Sequence, residues 1–319
     1  MKPAFLFSGQ GSQSVGMGSD LYQNFPAARD VFAEVDETLH RDLSTLMFQG
    51  DPDVLTQTQN AQPAIMAVGM AVVRAVESEW GHPLTDVALC MAGHSLGEYT
   101  ALCAAGALTL ADTARLLDIR GQAMAAAAQT VRGGMTAIIG LDIEKVQEIA
   151  NQASTPAAQV VVANDNCVGQ VILSGHRTAL DTAAALAQTA GAKRVLPLAV
   201  SGPFHSPYMQ PAAQVVAAAL ADVPVRSPRV PVIANRTAQP ETDPDDIRRT
   251  LAEQVCGTVR WTETAQTMAA LGTDTFVECA AGKVMTGLMK RLCPTIPTLS
   301  AGDSTGVRQV LNMLTGTPQ

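Results

Sequence analysis

Aromatic side chains are scarce: Phe, Tyr and Trp make up 4% of the 319 residues. An interior must therefore be built from Ala, Val, Leu, Ile and Met. Basic charge is short as well, with 21 Lys and Arg against 29 Asp and Glu, a net charge of −8. A reader of nucleic acid carries a basic stripe. Here basic residues gather only in pairs such as Lys193–Arg194, Arg248–Arg249 and Lys290–Arg291, so that class is set aside. An acidic partner would need a local basic patch against an acidic whole. The six cysteines (Cys90, Cys103, Cys167, Cys256, Cys279, Cys293) form no CxxC pair and sit mostly among apolar neighbours, as reduced core thiols do. Metal-ligand spacings and a Walker pattern are missing too.

Long hydrophobic runs are lacking. The two longest uncharged stretches, Val54–Val73 and Val195–Ala221, are broken by Gln and Asn in the first and by four prolines and His205 in the second. Neither reads as a membrane span. The apolar run Pro3–Phe7 is too short for a signal peptide. The expectation is a soluble, cytoplasmic protein.

Hydrophobic residues reach 47% and charged residues 16%, enough for a sizeable core. Short apolar runs alternate with helical patterns, which predicts an α/β architecture. Strands are expected at Pro3–Phe7, Asp86–Ala92, Val230–Ala234, Thr275–Glu278 and Thr295–Leu299. Helices are expected at Ser19–Leu39, Gln62–Trp80, Leu96–Ala105, Leu110–Ala128, Ala212–Ala221, Pro244–Val255, Trp261–Leu271 and Val284–Leu292. Between Gly133 and Ala199 the pattern reads βαββαβ, the order of a ferredoxin-like unit. The expected division is residues 1–128 and 203–319 as the larger unit, with 129–202 inserted into it.

Gly93-His94-Ser95-Leu96-Gly97 matches G-x-S-x-G, the strand-to-helix elbow that exposes a serine nucleophile. The pattern is weak alone, since Gly302-Asp303-Ser304-Thr305-Gly306 fits it also. Context separates them: Ser95 follows an apolar run and precedes a helical pattern, whereas Asp303 reads as the cap of a following helix. Of the five histidines, His94 projects from the same tight turn, and His40, His82 and His176 lie beside charged or turn residues. His205, in the apolar loop Ser201–Pro207, is the remaining candidate base. Gly9-Gln10-Gly11-Ser12-Gln13 fails as a dinucleotide fingerprint because position 14 is Ser14. It could be a simple turn, or could present a backbone N–H to an oxyanion.

Together, Gly9–Gln13, Gln62-Pro63-Ala64, Gly93–Tyr99, Arg120–Met124 and Pro203–Pro207 resemble, in order and spacing, the malonyl-CoA:acyl-carrier-protein transacylases. The resemblance spans essentially the whole chain. It implies an α/β-hydrolase-like domain with a parallel sheet and an inserted ferredoxin-like one. It also implies Ser95 as nucleophile, His205 as general base and acid, and the Gln254 carbonyl as the group orienting His205. The backbone N–H groups of Gln10 and Leu96 would form the oxyanion hole. Arg120 would hold the malonyl carboxylate, a task suited to a planar guanidinium. Gln62, Asn164 and Phe204 would line the pocket, with Phe204 and Leu96 matching members that take malonyl units. Ser206 is a further candidate beside the base.

The implied partners are malonyl-CoA and holo acyl carrier protein, which brings its own phosphopantetheine. No metal or redox cofactor is expected. Lys193, Arg194, Lys283, Lys290 and Arg291 are candidates for carrier docking. Two departures stand out: Ser8 where Pro is common, and Ala280-Ala281-Gly282 where Gly-Pro-Gly is usual. Fatty acid synthesis is the expected setting, while a polyketide or malonate decarboxylase system shares the chemistry. A serine thioesterase and a non-catalytic binding module remain as rivals. Arg120 counts against the first, and the presence of Ser95, His205 and Arg120 against the second.

Overall fold

The computed structural model describes residues 1–316. Two sheets carry the fold. The larger joins β1 (Pro3–Phe7), β2 (Cys90–Gly93), β7 (Val232–Ile233), β8 (Pro240–Glu241), β10 (Thr275–Glu278) and β11 (Thr298–Ser300) in the order β11-β10-β1-β2-β7-β8. The smaller joins β3 (Gly133–Ile139), β4 (Val160–Cys167), β5 (Gln170–His176), β6 (Arg194–Pro197) and β9 (Val259–Arg260) in the order β6-β3-β5-β4-β9.

β1 lies at the centre of the larger sheet, parallel to both β10 and β2. All five of its residues are buried, as a strand covered on both faces requires. Alternate residues feed different cores. Phe5 and Phe7 pack with the helices Thr58–Trp80 and Leu110–Ala128, while Ala4 and Leu6 pack with Trp261, Met268, Met285 and Met289. The expected parallel sheet needs one amendment: its edge strand β8 runs antiparallel to β7.

The smaller sheet follows the βαββαβ order from β3 to β6, with antiparallel pairing throughout that stretch. One face packs on the helices Ile143–Ala153 and Arg177–Thr189 through Ile138, Val146, Val162, Leu173 and Leu180. Met135, Ala137 and Ile172 on the other face join the main core. β9, which the sequence does not announce, pairs with β4 in parallel and adds a strand from the chain beyond residue 203.

Local chemistry explains where elements start and stop. The single helix expected over Ser19–Leu39 is two, Ser19–Asn24 and Pro26–Leu39, because Phe25 is extended and Pro26 opens the second helix. The helix expected from Gln62 starts at Thr58 and tolerates Pro63 inside it. Pro63 has no N–H for the Gln59 carbonyl one turn back. That carbonyl accepts instead from Arg41 at 3.1 Å. Asp86–Ala92 divides into a short 3-10 turn, Leu84–Asp86, and β2. Short helices Leu43–Gln49 and Pro52–Thr56 went unread in the sequence. Among the described residues, no helix is long and apolar enough to cross a membrane.

Candidate active site

Ser95 sits between β2 and the helix Leu96–Ala104 with φ 54° and ψ −111°, a region that non-glycine residues avoid. The flanking glycines make the turn possible. A Cβ on Gly93 would lie 1.9 Å from the Gly97 carbonyl oxygen, and one on Gly97 would lie 2.3 Å from the Phe7 carbonyl oxygen. The strained peptide is gripped from both sides. The Ser95 N–H donates to Asn235 Oδ1 at 2.6 Å, while Asn235 Nδ2 donates to the Gly93 carbonyl at 2.7 Å. Gln254 Nε2 donates to the Ser95 carbonyl at 3.0 Å.

His205 reaches the serine from the loop after β6, itself held at φ 57° and 4% exposed. Its Nε2 lies 2.8 Å from Ser95 Oγ and its Nδ1 2.9 Å from the Gln254 carbonyl oxygen. A carbonyl only accepts, so Nδ1 carries the proton and Nε2 is left to accept from the hydroxyl. Burial, and then the charge of Arg120, hold the imidazole down to about 3, so it is neutral at physiological pH. Ser206 Oγ closes the loop with a bond to the Pro203 carbonyl.

Arg120 is 1% exposed on the helix Leu110–Ala128. Its Nη1 donates to Gln62 Oε1 at 2.6 Å; its Nη2 donates to Ser95 Oγ at 2.9 Å and to Gln254 Oε1 at 2.8 Å. All three acceptors are neutral, and its Nε has no partner. The Tyr99 ring lies 5.6 Å beneath the guanidinium, close enough for a cation–π contact. Burial lowers the Arg120 pKa, yet a guanidinium stays charged at any ordinary pH. A buried cation without a counter-ion is costly, and an incoming carboxylate would supply one.

Arg120 is tied through Gln62 to the glycine-rich loop after β1. Gln62 Nε2 donates to Thr58 Oγ1 at 2.8 Å, and Thr58 Oγ1 donates to Gln10 Oε1 at 3.1 Å. Leu96 opens its helix, so its N–H lacks an intrahelical acceptor. The helix N-terminus favours negative charge there. Ser8, the residue that departs from the family pattern, donates to Glu278 at 2.8 Å. Glu278 also accepts from the N–H groups of Met285 and Thr286, so the loop is tied to the helix Val284–Leu292.

A cavity of about 580 Å³ gathers Ser95, His205, Arg120, Gln10, Asn164 and Phe204 against the open face of the smaller sheet. The β4–β5 register shifts between Val162 and Asn164 and again between Asp165 and Cys167, in a strand whose Asn164 and Asn166 both turn toward His94, at 3.3 and 2.9 Å from its Nε2. Asn164 Oδ1 has no protein partner. His94 is therefore engaged with these amides and with the Trp261 ring 5.6 Å away, and burial lowers its pKa. Ser304 stands apart from the cavity, at the start of a helix that Asp303 caps through the Gly306 N–H. Of the five docking candidates only Arg194 lines the cavity. Arg291 instead holds Gln170 and the Val168 carbonyl in the β4–β5 turn.

Two contributors to the site carry no sequence expectation: Asn235 and Glu98. Glu98 Oε2 accepts from Gln254 Nε2 at 2.6 Å and from the Asn235 N–H at 3.0 Å. A Glu within a helix of otherwise uncharged residues, every one of them buried, is the signal that could have found it.

This nucleophile elbow, histidine and carbonyl on a mixed α/β frame define an acyl-transfer site. A family model described as "Acyl transferase domain" matches residues 4–295, and the chain belongs to that family. It is 41% identical over 313 residues, 98% of this chain and 97% of the other, to the malonyl CoA-acyl carrier protein transacylase of Bacillus subtilis strain 168. Among solved structures, an acyl-carrier-protein-S-malonyltransferase from Bartonella henselae matches with a TM-score of 0.96 at 48% identity, covering 99% of this chain and 100% of that one. A malonyl-transacylase in complex with its holo type II PKS acyl-carrier protein matches with a TM-score of 0.93 at 37% identity, covering 98% of this chain and 100% of that one.

Proposed function

We propose that this chain moves a malonyl group from malonyl-CoA to the phosphopantetheine thiol of a holo acyl carrier protein, through a malonyl ester on Ser95. Ser95 Oγ attacks the thioester carbonyl as its proton passes to His205 Nε2. The oxyanion is met by the N–H groups of Gln10 and Leu96; losing one such donor typically costs ~10²–10³ in rate. The C–S bond then breaks, and His205 returns the proton to the departing CoA sulfur. The free carboxylate of the acyl group sits on Arg120, displacing neutral acceptors such as Gln62 and Gln254. In the second half, the carrier thiol gives its proton to His205 and attacks the ester carbonyl. Ser95 recovers its proton as the malonyl thioester leaves.

The observation that carries this reading is one nucleophile met from two sides: His205 Nε2 at 2.8 Å and Arg120 Nη2 at 2.9 Å. A thioesterase has no need of a buried cation beside its serine. None of the steps calls on a metal or a redox group. Asn164 and Phe204 shape the acyl pocket, with Gln62 reaching it through Arg120 and Phe204 set to crowd an α-methyl branch. Residues 1–128 and 203–319 form an α/β-hydrolase-like unit, and 129–202 a ferredoxin-like insert; the strand order β6-β3-β5-β4 supports the second assignment. Exposed Lys193, Arg194, Lys283, Lys290 and Arg291 suit an acidic carrier. The work belongs in the cytoplasm, supplying fatty acid synthesis. A ping-pong scheme predicts parallel double-reciprocal lines when malonyl-CoA and holo carrier are varied together. Intersecting lines would point to direct transfer and refute the ester.

A further inference from the structure

We propose that Glu98 is a positioning residue whose carboxyl joins Asn235 and Gln254, the two residues whose side-chain amides hold the nucleophile in its strained conformation. The inference rests on the reading of Ser95 as nucleophile and adds what keeps it aimed. Ser95 holds a positive φ of 54°, and such strain persists only where surrounding groups over-determine it. Here Asn235 accepts from the Ser95 N–H and Gln254 donates to its carbonyl. Both report to one atom, Glu98 Oε2, through the Asn235 N–H and Gln254 Nε2. The acid thus links the loop after β7, the end of the helix Pro244–Gln254 and the elbow.

Glu98 is 2% exposed. Arg120 faces it from the helix Leu110–Ala128 but directs its three side-chain bonds to Gln62, Ser95 and Gln254, so no ion pair forms. Glu241 of β8 adds like charge, and Tyr99 is the other titratable group beside it. β1, β2 and β7, which pack on the same helix, carry no charged residue. The helix Thr58–Trp80 has its charges only from Arg74 onward. His205 is neutral and engaged with the Gln254 carbonyl. Burial outweighs the two hydrogen bonds and pushes the acid up to about 8.

The test reads Ser95 reactivity toward a fluorophosphonate probe by intact mass, which requires neither malonyl-CoA nor a carrier. Failure of malonyl transfer therefore leaves it readable. Glu98→Gln keeps an acceptor oxygen for both N–H groups; its rate should stay within ~3-fold of wild type at neutral pH. Glu98→Ala should be slower by ~10-fold or more at every pH, since it releases both amides. A Glu98→Gln rate as low as that of Glu98→Ala, or a Glu98→Ala rate within ~3-fold of wild type, overturns the positioning role. Asn235→Ala, which removes one of the two amides directly, should slow labelling as well, and a wild-type rate there overturns the proposal without Glu98→Ala having to fold.

Discussion

Replacing Arg120 by lysine separates its two roles, substrate anchor and buried scaffold. The guanidinium spans Gln62, Ser95 and Gln254 with two nitrogens, at 2.6, 2.9 and 2.8 Å. It could turn the same fork on a carboxylate, whereas an ammonium is a point donor that cannot reproduce two parallel bonds. A hydrogen bond to a charged group is worth ~1.5–3 kcal/mol. At about 1.4 kcal/mol per tenfold, losing one of the pair lowers kcat/KM for malonyl-CoA by roughly 10- to 150-fold. Burial also favours the neutral amine, which deepens the loss. Acetyl-CoA carries no carboxylate and feels only the damage to Gln62, Ser95 and Gln254. The assay is therefore a ratio: pre-steady-state acylation by malonyl-CoA over that by acetyl-CoA, for wild type and Arg120→Lys. The ratio should drop at least tenfold. A parallel fall with both donors would refute the anchor and leave Arg120 as scaffold.

Four further outcomes follow from the same geometry. His205 is held down to about 3, so acylation should stay level as pH falls below 6.5, and Arg120→Ala, which removes the second cause of the shift, should move the acid limb upward; a wild-type limb at 6.5 contradicts this. The same depressed value means that the unfolded chain takes up a proton first: stability present above 6.5 is lost as pH falls toward about 3, and His205→Gln should lose less of it in acid melting curves. Phe204, 4% exposed and lining the cavity, should on truncation to Ala raise the methylmalonyl-to-malonyl ratio roughly 10-fold, since one methyl is worth ~1–3 kcal/mol. Gly97→Ala would force a Cβ to within 2.3 Å of the Phe7 carbonyl oxygen; the expected cost is about 3 kcal/mol or more, read as a large fall in Tm.

What the sequence made legible was whatever is local. β1 at Pro3–Phe7 and the helices Leu110–Ala128 and Val284–Leu292 fall at the bounds that apolar runs and periodicity predict. The elbow was readable because its pattern is confined to five residues, Gly93 to Gly97, although only the demand on Gly93 is met within them, Gly97 answering to the distant Phe7 carbonyl. Elements set by distant partners were not. β8 and β9 are two-residue strands, Pro240–Glu241 and Val259–Arg260, whose hydrogen bonds come from chain far away or across a turn. Nothing in so short a stretch marks it as a strand. Asn235 is the sharpest case in the site. Its amide meets Ser95 across 140 residues, and an asparagine after a buried strand looks, in sequence, like any turn residue. Glu98 lay inside a quoted motif, but its service to Asn235 and Gln254 exists only once three separate segments have met.

The central claim is that Ser95 carries the acyl group between two thiols. Its most direct test is intact-protein and peptide mass spectrometry after brief exposure to mixed malonyl-, methylmalonyl- and acetyl-CoA, followed by holo carrier protein. The account predicts a single malonyl adduct on the peptide bearing Ser95, stable until the carrier arrives and then recovered on the carrier's phosphopantetheine. An adduct that decays to free acid at the same rate with or without carrier would make the protein a hydrolase. No adduct from any donor would contradict the assignment of Ser95 and His205 outright.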